Sequence, residues 1–306
     1  MSRKNFLSSL YKNEAIYSEE RSKIEGIKRV PLTSMPYLNY AIGGGIPVGY
    51  LIQHAGATQA GKSFVSFVEA KHWQEHFVDD SFVLIADFEH TTTIQRCKQF
   101  GLDTSKDKLL IWKQPDNSGA DFFDFLLDDF LPGCIENGIK PFIILDSKDC
   151  MIPPGEEGRK AAELEMGAMA KFLKRVLKRT VALLAEADGT MVIINQLVLK
   201  IGQLWGNPET TSGGNALKHN SVLDIWFKKV EKKEEQIFNS NDQKIGHKVS
   251  FKIDKNKVGS PHKTGFVKIH YDGKVVDRML CARYGLTIYF CLIFSYFIMH
   301  FFLFCF

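Results

Sequence analysis

The chain has 306 residues, 45% of them hydrophobic and 24% charged, with a formal net charge of +4. That length and balance fit one large globular core and exclude a disordered or fibrous polypeptide. Its six cysteines (Cys97, Cys134, Cys150, Cys281, Cys291 and Cys305) form no CxxC pair and no zinc-like spacing, so they read as reduced thiols of a cytoplasmic protein. The N-terminus shows no secretory leader.

Residues 1–30 are polar and basic with scattered apolar anchors (Phe6, Leu7, Leu10, Tyr11, Ile16, Tyr17), the pattern of an oligomerisation arm. From Gly49 to His54 the pattern is that of a strand, and it leads into Gly56-Ala57-Thr58-Gln59-Ala60-Gly61-Lys62-Ser63. This octapeptide has P-loop spacing: Gly, four residues, Gly, Lys, hydroxyl residue. The glycines let the backbone approach phosphate, and the N–H groups of the turn point at it. Lys62 spans the β- and γ-phosphates, and Ser63 offers its hydroxyl to Mg²⁺. A helix from Ser63 adds the favourable field of its N-terminus.

Three later apolar runs share one design. Phe82–Ala86 ends in Asp87 and Glu89, Phe142–Leu145 in Asp146 and Ser147, and Met191–Ile194 in Asn195 and Gln196. Continuous apolar runs of this length predict parallel strands covered on both faces. Ligands of open α/β sheets bind at the C-terminal ends of such strands, so Glu89, Asp146 and Gln196 should converge on the phosphates. Met169, Phe172, Leu173, Val176, Leu177 and Leu184 recur at helical spacing.

Two stretches predict loops: the breaker-rich Pro153–Lys160, and Leu199–Gly214 with its glycines, Lys200, Ile201, Leu204 and Trp205. Apolar and aromatic residues in a long glycine-rich loop suit insertion against the bases of a single strand; a surface loop with Trp205 packed on the core is the plainer alternative. Residues 218–283 hold 15 Lys+Arg against 8 Asp+Glu. That excess suits either a polyanion partner or a solvated lysine-rich surface. Leu286–Phe306 has no charged residue and is long enough to span a bilayer. A tail anchor, a buried helix and sequence foreign to the ancestral domain are the three readings of it, the last favoured.

Asn195–Lys218, above all Gly206-Asn-Pro-Glu-Thr-Thr-Ser-Gly-Gly-Asn-Ala-Leu-Lys, closely resembles the second DNA-binding loop of RecA-type recombinases. Phe88-Glu-His, Leu145-Asp-Ser and Lys255-Asn-Lys-Val-Gly-Ser-Pro match the same family in order and spacing. The resemblance covers roughly residues 31–280. It implies an α/β fold, a RecA-like P-loop ATPase core over 31–284 with a mainly parallel central sheet flanked by helices, followed by the apolar tail at 285–306.

The resemblance also implies a DNA-dependent, Mg²⁺-dependent ATPase that forms helical filaments on single-stranded DNA and exchanges strands with a homologous duplex. Glu89 then activates the attacking water and Asp146 orders the Mg²⁺ shell with Ser63. Gln196 senses the γ-phosphate, and Lys255 and Lys257 reach it from the adjacent subunit. Lys200, Ile201, Gly202, Trp205, Gly206, Asn207, Thr210, Gly213 and Gly214 face the DNA strand. Arg96 stands where the family places an aromatic on adenine. Pro153–Lys160 matches the family's first DNA loop weakly. The match stops near Met279–Tyr284, where a C-terminal domain would follow. Three alternatives go with it: a fragment that binds ATP and DNA without strand exchange, a ring ATPase or helicase of the same fold, and a membrane tether confined to 286–306.

Overall fold

The computed structural model describes residues 26–156, 167–199, 209–211, 215–230, 232 and 235–273. In chain order the strands are β1 (Arg29–Val30), β2 (Ile46–Pro47), β3 (Leu51–Gly56), β4 (Ser81–Asp87), β5 (Leu109–Trp112), β6 (Lys140–Asp146), β7 (Thr190–Leu199), β8 (Glu209–Thr211), β9 (Leu223–Lys229), β10 (Gln236–Phe238), β11 (Lys244–Asn256) and β12 (Thr264–His270). The helices are α1 (Pro36–Ile42), α2 (Lys62–Phe77), α3 (Ile94–Gln99), α4 (Gly119–Asp124), α5 (Leu131–Glu136), α6 (Ala168–Glu186) and α7 (Asn215–Asn220), with a wide helical turn at Phe125–Phe130 and a tight one at Lys148–Cys150.

One 10-stranded sheet organises the molecule, in the order β10-β11-β9-β3-β7-β6-β4-β5, with β12 on β11 and β8 on β7. The run from β9 to β5 is parallel throughout. Beyond β9 the sheet turns antiparallel through β11, which pairs with β9, β10 and β12. Successive residues of the central strands belong to opposite cores. Ile52, Ile85, Ile144 and Val192 face the α2 side with Phe67 and Trp73, whereas Leu51, Leu84, Ile143 and Ile193 face the α6 side with Leu173 and Leu177. Burial on both faces is why these strands carry no polar alternation. The mainly parallel α/β sheet expected from the sequence is therefore present.

The helix faces follow from residue spacing. Helix α6 buries Phe172, Leu173, Val176, Leu177, Thr180 and Leu184, three and four residues apart, and leaves its lysines and arginines outward. Helix α2 buries eleven residues on several faces, because it lies between the sheet and the 29–42 segment.

Two expectations are corrected. Strand β3, leading into the P-loop, starts at Leu51 rather than Gly49, whose φ of 88° breaks extended geometry, and helix α2 begins at Lys62 rather than Ser63. More consequentially, Gln196 is not a strand end and 199–214 is not wholly loop. Strand β7 runs on to Leu199, and β8 folds back on it with Leu197↔Thr211, Val198↔Thr210 and Leu199↔Glu209 in register. The apolar triplet 197–199 and the β-branched Thr210-Thr211 favour extended backbone, and the pairing satisfies their polar groups. Lys200, Ile201, Gly202, Trp205, Gly206, Asn207, Gly213 and Gly214 lie outside the described residues, as do the 1–25 part of the arm, residues 157–160 and Leu286–Phe306. Among the described residues no helix is long and apolar enough to cross a membrane.

Candidate nucleotide site

The site forms where the parallel strands end. Gly56 on β3 is in register with Gln196 on β7 and with Phe227 on β9, and Asp87 on β4 is in register with Asp146 on β6. A Cβ on Gly56 would sit 2.5 Å from the Phe227 carbonyl oxygen, so only glycine lets the P-loop leave the sheet here. Gly61, at φ 87°, caps α2 in the left-handed region. Between them the chain wraps around the Lys62 ammonium, which donates to Gly56 O at 2.9 Å and Ala57 O at 2.8 Å.

Lys62 is buried, and burial lowers its pKa, opposed by the charges of Asp146, Glu89 and Asp149. Asp146 is buried too. Its pKa is pushed up to about 6 by desolvation; the Ser63 hydroxyl, which donates to it, and Lys62 act against that shift, while Glu89 and Asp87 add to it. Its Oδ1 atom accepts no hydrogen bond. An unsatisfied buried carboxylate oxygen beside a serine hydroxyl is an oxygen pair that a hard cation would complete. Among the described residues no cluster of three or more His, Cys, Asp or Glu could cage a metal. Mg²⁺ keeps waters and phosphate oxygens and needs few protein ligands.

Glu89 is exposed at the cavity wall, on a turn held from beneath. Asp87 Oδ1 and Oδ2 accept from the N–H groups of Thr91 (3.2 Å) and Thr92 (2.7 Å), and Lys113 Nζ pairs with Asp87 at 2.9 Å. The N–H groups of Phe88 and Glu89 both donate to the Asp146 carbonyl, at 2.7 and 3.2 Å. Asp146 and Glu89 are thus tied through backbone, so the two carboxylates keep a fixed relation.

A cavity of about 630 Å³ is lined by Thr58, Gln59, Ala60, Gly61, Lys62, Ser63, Glu89, Arg96, Asp146 and Gln196. The structure therefore brings ten of the predicted residues into one place. Gly56 and Ala57 serve through their carbonyls, outside that lining. Lys255 and Lys257 do not reach it. Lys255 donates to the carbonyls of Lys218 and Ser221, and Lys257 to that of His219 at 3.2 Å, so both ammonium groups sit on the C-terminal end of α7. Of the predicted DNA-facing residues, only the backbone of Thr210 is described.

Residues not anticipated also line the cavity. They are Gln99 on α3 and Lys229, His247 and Tyr271 from the β9, β11 and β12 region. Lys229 ends β9, His247 lies on β11 and Tyr271 follows β12, so no local motif in the sequence marks them.

A P-loop held at the carboxyl edge of a parallel sheet, with a buried Asp beside its serine and an exposed Glu opposite, defines a nucleoside-triphosphate-binding α/β protein. The RecA N-terminal domain model matches residues 7–276, and the chain belongs to that family. It is 32% identical over 243 residues to Protein RecA of Mycoplasma mycoides subsp. mycoides SC, covering 79% of this chain and 65% of that protein. It is 30% identical to Protein RecA of Streptomyces rimosus (85% of this chain, 64% of that protein) and 30% identical to Protein RecA of Ehrlichia ruminantium (86% and 71%). The chain thus spans about two thirds of the length of such relatives.

Proposed function

We propose that the protein is an ATP-dependent DNA recombinase of the cytoplasm. It assembles as a helical filament on single-stranded DNA and promotes homologous pairing and strand exchange. One observation carries the reading: Gln196 lines the triphosphate cavity and lies on the same strand that continues into the β7–β8 hairpin, the base of the segment resembling a DNA-binding loop.

The chain's residues supply a complete set of parts for phosphoryl transfer to water, which needs positioning and charge neutralisation above all. The P-loop N–H groups and Lys62 hold the β- and γ-phosphates. Ser63 and Asp146 would hold Mg²⁺, which when bound neutralises phosphate charge. Glu89 orients the attacking water and takes its proton. Gln196 contacts the γ-phosphate, and a change in its position passes directly into the hairpin, in the manner of a phosphate-held switch.

Lys255 and Lys257 complete the site of an adjacent subunit in the filament. They must then exchange the α7 carbonyls for phosphate oxygens, which makes turnover depend on assembly. Filaments seen by electron microscopy with single-stranded DNA and a non-hydrolysable ATP analogue, together with product from three-strand exchange, support the assignment. Closed rings under those conditions would replace it with a ring ATPase. The alternative reading is ATP and DNA binding without strand exchange. Filaments that hydrolyse ATP but yield no exchanged duplex select it.

A further inference from the structure

Beyond the P-loop the cavity is lined by Arg96 and Gln99 of α3 and by Lys229, His247 and Tyr271, which leaves these residues to meet the nucleoside of a triphosphate held at Lys62 and Ser63. Gln99 Nε2 donates to the Tyr271 carbonyl at 3.1 Å and closes that end. The two carboxylates of the cavity, Glu89 and Asp146, stand with the P-loop, and none of the described lining residues near α3 is acidic. Among them Arg96 is a donor-only fork.

The Arg96 guanidinium is half-buried and anchored, with its central carbon 5.6 Å from the Phe67 ring centroid. Its backbone is fixed as well, because Arg96 N donates to the capping Thr93 hydroxyl at 3.1 Å. With Gln99 Nε2 committed, Gln99 offers its Oε1, an acceptor that suits the ring N–H or exocyclic amine of a purine.

His247 gives an independent sign that this end takes a polar ligand. It is 6% exposed, neither ring nitrogen has a hydrogen bond, and its ring lies 5.7 Å from that of Tyr271. Burial and the nearby Lys244 and Lys229 lower its pKa. His247 lines the cavity, and buried polar atoms of this kind are ordinarily partnered.

We infer that the protein accepts guanosine triphosphate at least as well as ATP, with Arg96 engaging the O6/N7 edge of guanine. Arginine is the side chain whose fork matches those two acceptors. The inference rests on the proposed nucleotide reading of the cavity and adds the identity of the base.

The test uses the full chain with saturating single-stranded DNA and compares kcat/KM for GTP and ATP. Binding of fluorescent GTP, fluorescent ATP and inorganic triphosphate is measured in parallel. A GTP/ATP ratio of one or more is expected, falling about tenfold in both Arg96→Gln and Arg96→Lys, since lysine keeps the charge but loses the fork. The ratio is read whatever happens to absolute turnover. A wild-type ratio below one tenth, or a ratio unmoved by both substitutions, would overturn the inference while leaving the nucleotide site standing. Failure to bind any of the three ligands would remove the nucleotide reading itself and this inference with it.

Discussion

The main-chain N–H of Gln196 donates to Asp149 Oδ2 at 2.8 Å. That bond ties β7, where it passes the phosphate cavity, to the tight turn that follows Asp146. The same carboxylate acts electrostatically on Lys62, and its Oδ1 pairs with Lys148 Nζ at 2.9 Å. Asp149 therefore joins the turn after β6, the P-loop lysine and the strand leading to the hairpin.

Asp149→Ala should weaken communication more than binding. Hydrogen bonds to charged groups are worth about 1.5–3 kcal/mol, roughly 10- to 100-fold in an equilibrium. Nucleotide affinity should change little, whereas the ratio of DNA affinities with ATP analogue and with ADP should shrink by about that factor. Fluorescence anisotropy with labelled oligonucleotide checks it. An unchanged ratio would show that Gln196 is held by other means.

Glu89→Gln and Lys62→Ala should separate chemistry from binding. Removing a general base costs on the order of 10²–10⁴ in turnover. The Glu89 variant should keep nucleotide affinity and lose DNA-stimulated hydrolysis by such a factor. The Lys62 variant should lose both. Isothermal calorimetry with a non-hydrolysable analogue, beside a phosphate-release assay, reads the difference. Undiminished turnover by Glu89→Gln would remove its role as base.

Asp146 makes the ligand-free fold sensitive to pH. Its folded pKa, about 6, lies above the usual value of 3.8. Between those values the native state holds more protons than the unfolded chain, so this group's contribution to stability falls as pH rises. The change levels off above the folded pKa. A tenfold difference in proton affinity between the two states is worth about 1.4 kcal/mol. Asp146→Asn removes the ionisation while keeping an acceptor for the Ser63 hydroxyl. Its stability advantage over wild type should be small near pH 4 and grow to roughly 2–3 kcal/mol near pH 7, while Mg²⁺-dependent hydrolysis is lost. Urea unfolding of both proteins across this range decides the point, and an advantage independent of pH would contradict it.

Gly56→Ala should disrupt the junction between β3 and the P-loop. The added methyl would meet the Phe227 carbonyl at 2.5 Å, and both partners are backbone. Overpacking of this kind costs about 1–3 kcal/mol. Thermal unfolding should show the loss, with nucleotide affinity falling alongside it. A neutral effect on both would mean that the strand ends part freely.

The parallel half of the sheet was legible because its strands are buried on both faces, leaving the runs at Phe82, Phe142 and Met191 apolar and bounded by polar residues. The P-loop was legible from its own spacing, and the convergence of Glu89 and Asp146 on it from the common carboxyl edge of parallel strands, whereas Gln196 reaches the cavity from within β7. The antiparallel extension was not legible. Strands β9 and β11 interleave Lys228, Lys248 and Lys252 with Phe227, Val249 and Phe251, a pattern that serves a strand and a lysine-rich surface equally well. With it went Lys229, His247 and Tyr271, which reach the cavity only through long-range pairing. The continuation of β7 past Gln196 was hidden by the glycine and proline content of 202–214, although Leu197–Leu199 and Thr210-Thr211 carry ordinary strand chemistry.

Triphosphate at Lys62 is expected to govern single-stranded DNA affinity through Gln196 and the β7–β8 hairpin. The direct measurement is a salt-controlled titration of labelled oligonucleotide with non-hydrolysable triphosphate, with ADP and with no nucleotide. Tight binding confined to the triphosphate state, collapsing to the ADP level in Gln196→Ala, is predicted. Equal affinity in all three states would contradict it.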